Sequence, residues 1–171
     1  SKLRGGFVTL EDLIKEGGLD AARWFFLEKS PDTHMDFDLD LAKERSVKNP
    51  VYYVQYAHAR ISSIFRKTQN AKIKTQNLNF KLLNSPEELN LIKKLIQFSE
   101  VVEDTAKDYQ VHRLTRYAYD LARDFHNFYE KHRVITEDKN LTQARLVLVR
   151  ATQIILKNLF GLLGIYTPDK M

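Results

Sequence analysis

From Leu141 to Leu163 the chain reads as one long helix, apolar around most of its circumference and ended by Gly164. A surface helix carries a single apolar stripe, so a helix of this kind belongs at the centre of a group of helices. The segment before it offers a neighbour: Leu114, Tyr117, Leu121, Phe125 and Phe128 recur at spacings of three and four, the period of a helix that buries one face. A core stripe is the role expected of those rings.

The remaining helices announce themselves by their starts. Thr9-Leu10-Glu11-Asp12 resembles a capping box, and Gly17-Gly18 ends the short helix it opens. Asp20 is placed to cap a helix over Ala21–Glu28, which Ser30-Pro31 stops. Asn49-Pro50 joins a capping residue to a proline at the first helical position, predicting a helix to about Lys67. Thr68 to Asn84 is polar and reads as a loop. Ser85-Pro86-Glu87-Glu88 then opens a helix to about Ala106, and Ile165 to Met171 forms a tail. The fold class expected is all-α: a bundle of four larger helices preceded by a smaller helical junction. A chain of 171 residues is long enough to bury a core as one domain.

Several functions are excluded early. There is no cysteine, hence no disulfide, thiolate nucleophile or Cys-based zinc site, as fits a cytoplasmic protein. No apolar run approaches the ~20 residues needed to cross a bilayer, there is no signal peptide, and no membrane partner is expected. Asp36-x-Asp38-x-Asp40 invites a calcium reading, but an EF-hand loop needs Gly sixth and Glu twelfth, where Leu41 and Val47 stand. These acids are expected to cap or pair while the residues between them pack. His34, His58, His112, His126 and His132 include no pair at metal-ligand spacing on one helix, so no metal site is expected.

Charge points elsewhere. Between Glu44 and Glu87 there is no Asp or Glu, while Arg45, Lys48, Arg60, Arg66, Lys67, Lys72, Lys74 and Lys81 fall there. A second acid-free stretch, Lys139 to Pro168, holds Lys139, Arg145, Arg150 and Lys157. Such segregation fits a positive face for a polyanion, or a solvated surface of uneven charge. On the helix after Pro50, Val51, Val54, His58, Ile61 and Phe65 share a stripe roughly 80° wide, at about 100° per residue. His58 is expected there as a hydrogen-bonded packing residue. Tyr53, Tyr56, Arg60 and Lys67 share another stripe, roughly 60° wide and about 150° away. Rings beside cations are what unpaired RNA bases and phosphates require. Packing on another helix or on a further domain would account for the tyrosines equally.

At these residues the chain resembles a known family. Asp20-Ala21-Ala22-Arg23 is similar to the Asp-Ala-Leu-Arg (DALR) signature of the anticodon-binding domain of arginyl-tRNA synthetases, with Ala22 in place of Leu. Asp36-Phe37-Asp38-Leu39-Asp40-Leu41-Ala42, and the run from Asn49-Pro50-Val51-Tyr52-Tyr53 through Gln55-Tyr56-Ala57-His58-Ala59-Arg60, match the arginyl enzymes. Phe125-His126-Asn127-Phe128-Tyr129 and Leu162-Leu163-Gly164-Ile165 continue the match over essentially the whole chain. The resemblance implies the anticodon-binding bundle of a class I aminoacyl-tRNA synthetase at residues 46–171. It implies a helical junction to a catalytic domain at 7–45, and at 1–6 the end of the Lys-Met-Ser-Lys (KMSK) loop. Lys2 would match the lysine of that loop that stabilises ATP phosphates, although Leu3 and Gly5 depart from the usual Arg and Ala. The parent would be an arginine–tRNA ligase using ATP with Mg. This chain alone, lacking the catalytic domain, would bind RNA without catalysis and without a cofactor.

In the family, two tyrosines and an arginine contact the anticodon loop, roles that carry over to Tyr53, Tyr56 and Arg60. Lys48 and Asn49 lie in the 45–50 loop that remodels around the anticodon, Lys67 extends the cationic stripe, and Met171 matches a methionine near the same bases. The expected partners are an arginine tRNA, through its anticodon stem-loop, and the catalytic domain of the same chain. Two alternatives stand: a helical structural or protein-interaction bundle, and the equivalent domain of another class I synthetase.

Overall fold

The computed structural model describes residues 9–68 and 78–171. Lys2, with the whole of segment 1–6, and Lys72 and Lys74 lie outside them. Among the described residues there are eight α-helices, one short 3-10 turn at Phe80–Leu82, and no strand.

The chain opens with α1 (Leu10–Gly17), α2 (Leu19–Leu27) and the short α3 (Leu39–Lys43), which pack on one another. The capping box forms as its residues dictate: the Thr9 hydroxyl accepts from the Asp12 N–H, and the Asp12 carboxylate accepts from the Thr9 N–H. Asp20 behaves differently from expectation. Gly18 is the N-cap of α2, and Asp20, one residue inside the helix, accepts instead from the Tyr166 N–H at 3.1 Å and from Gln55 at 2.9 Å. Asp38 caps α3 through the Leu41 N–H, while Phe37 packs edge-on against Phe25. The alternating acidic segment is therefore a helix start with an aromatic anchor.

The bundle proper comprises α4 (Pro50–Lys67), α5 (Pro86–Ile96), α6 (Phe98–Asp108), α7 (His112–Lys131) and α8 (Lys139–Leu163). Helix α7 packs against α4, α5, α6 and α8, and its stripe of Leu114, Tyr117, Leu121, Phe125 and Phe128 is buried as the spacing predicts. Trp24, Phe160, Leu146, Leu156 and Leu159 complete the core. Helix α8 touches α2, α4, α5 and α7, as a central helix must, but one flank is open: Ile154 and Leu162 are 52% and 56% exposed. It has 25 residues, and an 18-residue stretch of it has a mean hydropathy of 1.6, so by length and composition it could cross a bilayer, which the reading of apolar runs missed. Its buried residues face the other helices, so the core accounts for its hydropathy.

The helix expected to run unbroken to Ala106 divides at Gln97 into α5 and α6. The cause lies on α7: the Tyr117 hydroxyl donates to the Lys94 carbonyl, the oxygen that an unbroken helix would offer to the Phe98 N–H. Helices kink where a side chain enters the backbone ladder in this way. The Phe98 ring then turns onto Tyr117, with ring centroids 6.0 Å apart. Tyr117→Phe is expected to cost about 1 kcal/mol, measured by urea unfolding, with helical content unchanged by circular dichroism.

Helix α8 ends at Gly164 in a left-handed conformation (φ 66°), and the Ile165 N–H returns to the Phe160 carbonyl at 2.9 Å. A β-carbon at Gly164 would meet the Arg23 guanidinium at 3.3 Å, and that guanidinium donates to the Gly164 carbonyl. The turn sends residues 165–171 back along α4.

Candidate nucleic-acid interface

Every side of α4 has a task. Asn49 caps it: the side-chain oxygen accepts from the Val51 N–H, and the amide donates to the carbonyls of Ala42 and Glu44, both at 3.1 Å. Val51, Val54, Ala57, Ile61 and Ile64 are buried. Phe65, expected among them, is only half-buried and carries the Arg150 guanidinium 3.7 Å over its ring. His58 is buried and hydrogen-bonds through Nδ1 to the Pro168 carbonyl at 2.8 Å, the packing role expected of it.

The opposite side faces α7, which presents Tyr119, His126 and Tyr129. Tyr53 is drawn into this layer, its ring centroid 5.1 Å from Tyr119 and 4.8 Å from His126. Burial raises the pKa of its hydroxyl. Tyr56 stacks on His126 at 5.8 Å and lies nearly parallel to Tyr52 at 6.4 Å. Arg60 joins the group: its guanidinium donates to the Tyr56 hydroxyl at 2.8 Å and to His126 Nδ1 at 3.3 Å. It also lies 4.6 Å from the Tyr56 ring centre and 5.0 Å from that of Tyr129, inside cation–π range. Burial, and then the charge of Arg60, push the pKa of His126 down to about 4. At neutral pH its Nδ1 is therefore an acceptor for Arg60.

Beside this cluster lies an open cleft of about 540 Å³, whose walls include Tyr56, Arg60, Arg66, Lys67, Tyr129, Lys170 and Met171. Four of these are cations and none of the lining residues is an acid. A second cleft of about 470 Å³ shares Ile64, Lys67 and Tyr129 with it and adds Arg133 and Ile135. Tyr129 stands between the two.

Of the residues singled out in the sequence, Tyr56, Arg60, Lys67 and Met171 meet at the first cleft. Tyr53 lies beside it, packed on α7. Lys48 is elsewhere: exposed, 3.8 Å from Glu44, and lining a separate cleft between α2 and α7. Asn49 does not line this cleft: it is 3% exposed, and with its oxygen and amide bonded to the backbone it ties the end of α3 to the start of α4. Tyr129, Tyr52, Arg66 and Lys170 were not anticipated. Tyr129 adjoins the buried stripe of α7, but Tyr119, His126 and Tyr129 follow one another at spacings of seven and three, which a second helical face would have revealed. Among the described residues no group of three or more His, Asp or Glu side chains converges on a metal position.

An all-helical domain with an acid-free cleft of rings and cations has the groups used by the class of domains that hold unpaired bases by stacking and phosphates by charge. Comparison with known proteins narrows the class. The family model for the DALR anticodon binding domain matches residues 54–171, and the chain belongs to that family. It is 49% identical over 174 residues to the arginine–tRNA ligase of Desulforamulus reducens, and 50% identical over 174 residues to that of Geobacter metallireducens. In both cases the whole chain is covered and 31% of the relative, so the chain spans about a third of those proteins. Among solved structures it resembles the arginyl-tRNA synthetase of Thermus thermophilus (TM-score 0.75, 31% identity, 92% of this chain and 27% of that one). That of Plasmodium falciparum is similar as well (TM-score 0.74, 27% identity, 96% and 29%).

Proposed function

We propose that this domain reads the anticodon loop of an arginine tRNA on behalf of an arginine–tRNA ligase, contributing recognition and not catalysis. The observation that carries the reading is the first cleft, where Arg60 lies between two tyrosine rings and three further cations complete walls free of acids. All arginine codons have G in the middle, so every arginine anticodon has C there, while its neighbours vary. Stacking on Tyr56 and Tyr129 tolerates any base, whereas hydrogen bonds discriminate. The Arg60 guanidinium supplies donors for the O2 and N3 acceptors of a cytosine. The second cleft, across Tyr129, offers a flanking nucleotide the apolar side chains of Ile64, Val134 and Ile135 and three cations, Lys67, Lys131 and Arg133, against one acid, Glu130. A protein partner is not needed to explain Tyr53, because α7 covers it.

On this reading α1 to α3 form the junction to a catalytic domain, which would hold ATP and magnesium, with Lys2 the one contribution of this chain. The setting would be cytoplasmic, where tRNAs are charged. The test is titration of an arginine-tRNA anticodon stem-loop, repeated with the middle C replaced and at several salt concentrations. About four phosphate contacts would give a log–log salt slope on the order of −3. Binding indifferent to both salt and the middle base would reject the reading. Tyr56→Ala is expected to weaken binding by roughly 1–3 kcal/mol while leaving the thermal midpoint nearly unchanged.

A further inference from the structure

Residues 165–171 have no regular secondary structure, yet the segment is bonded along most of its length. The Tyr166 N–H donates to Asp20 and its carbonyl accepts from Gln55 at 2.9 Å. The Pro168 carbonyl meets His58, and the Asp169 carbonyl accepts from Arg66 at 2.6 Å. The Asp169 carboxylate accepts from the Ser62 hydroxyl at 2.8 Å, and Ser62 in turn accepts from Gln153 of α8 at 2.9 Å. Gln55, His58, Ser62 and Arg66 follow one another at spacings of three and four, forming a polar rail along one edge of α4. Chain segments of this kind fray unless tied down, and ordering them costs conformational entropy. The ordered product is the placement of Lys170 and Met171 in the wall of the first cleft.

Asp169 is the odd member. Its side chain is 76% exposed, and an acid beside a cationic cleft opposes the approach of a polyanion. We propose that Asp169 is a positioning residue: through Ser62 it seats Lys170 and Met171 against the cleft, and so raises RNA affinity without touching RNA. The proposal rests on the cleft being the RNA site. It makes a claim opposite in sign to simple electrostatics, by which removing the acid should tighten binding.

Two substitutions separate these. Asp169→Asn loses the charge but keeps an oxygen for Ser62, and should bind the anticodon stem-loop at least as tightly as the unaltered chain. Asp169→Ala loses both and should bind about tenfold more weakly, the size of one net hydrogen bond. A readout independent of RNA comes from the two methionines, Met35 and Met171, labelled with ¹³C in their methyl groups. The Met171 signal should move to the position of an unstructured methionine in Asp169→Ala, stay in place in Asp169→Asn, and leave Met35 unchanged in both. The proposal is overturned if Asp169→Ala binds RNA as well as or better than the unaltered chain, or leaves the Met171 signal where it was. Failure of the unaltered chain to bind the stem-loop would instead defeat the RNA reading and Asp169's part in it, while the methyl spectra would still decide the seating.

Discussion

Arg145→Met is expected to destabilise the folded chain by about 3–5 kcal/mol, the largest effect of any single polar substitution considered, measured by chemical denaturation. Arg145 is 9% exposed and Glu88 1%. The Arg145 Nε donates to Glu88 at 2.8 Å, and one terminal nitrogen donates to the Arg133 carbonyl at 2.8 Å. Removing the cation strands a carboxylate in the core, where it can be neither hydrated nor paired. Glu88→Met combined with Arg145→Met should recover much of the loss, because two apolar residues strand no charge. The recovery stays incomplete, since Glu88 also accepts from the Ser85 N–H to close the cap of α5. A double mutant no more stable than the single one would show that the cost lies elsewhere. Burial works to raise the pKa of Glu88, but hydrogen bonds from Arg145 and Ser85 outweigh it and hold it below the usual value. The pair's contribution is therefore present above the unfolded carboxylate pKa and fades as the pH falls through the lower folded one.

Acid acts sooner through His126. Its pKa falls from 6.5 unfolded to about 4 folded, owing first to burial and second to Arg60. The unfolded chain thus binds the proton first, and stability present above about pH 6.5 declines toward pH 4, by on the order of 3 kcal/mol. His126→Gln should flatten the unfolding free energy over that window at some cost at pH 7, leaving the carboxylate-dependent loss at lower pH in place. A His126→Gln curve parallel to that of the unaltered chain would sink the assignment.

Helix starts were legible because they are written in neighbouring residues. Asn49-Pro50 and Ser85-Pro86-Glu87-Glu88 satisfy their own exposed N–H groups, and both open helices where expected. Core stripes were legible for the same local reason. What escaped depends on distant partners. The break at Gln97 comes from a tyrosine hydroxyl twenty residues further on, and Asp20 abandons a capping role for a tail more than a hundred residues away. At the cleft, the tyrosine–arginine stripe of α4 was visible as periodicity. Tyr129 was not, because its neighbours in sequence are core rings; Asn49 was legible as the cap of α4, but its further bonds to the Ala42 and Glu44 carbonyls depend on where the fold places the end of α3. Only the folded backbone brings residues 166–169 to the rail on α4.

That rail also sets an order of events. A chain made from its first residue onward releases α4 long before the segment that will lie on it, the paired residues being separated by 103 to 111 positions. Until then the arginine and tyrosines face a cleft lacking one wall. During synthesis, the part of the cleft wall formed by Lys170 and Met171 is thus added only after α8 has been made, long after α4 itself.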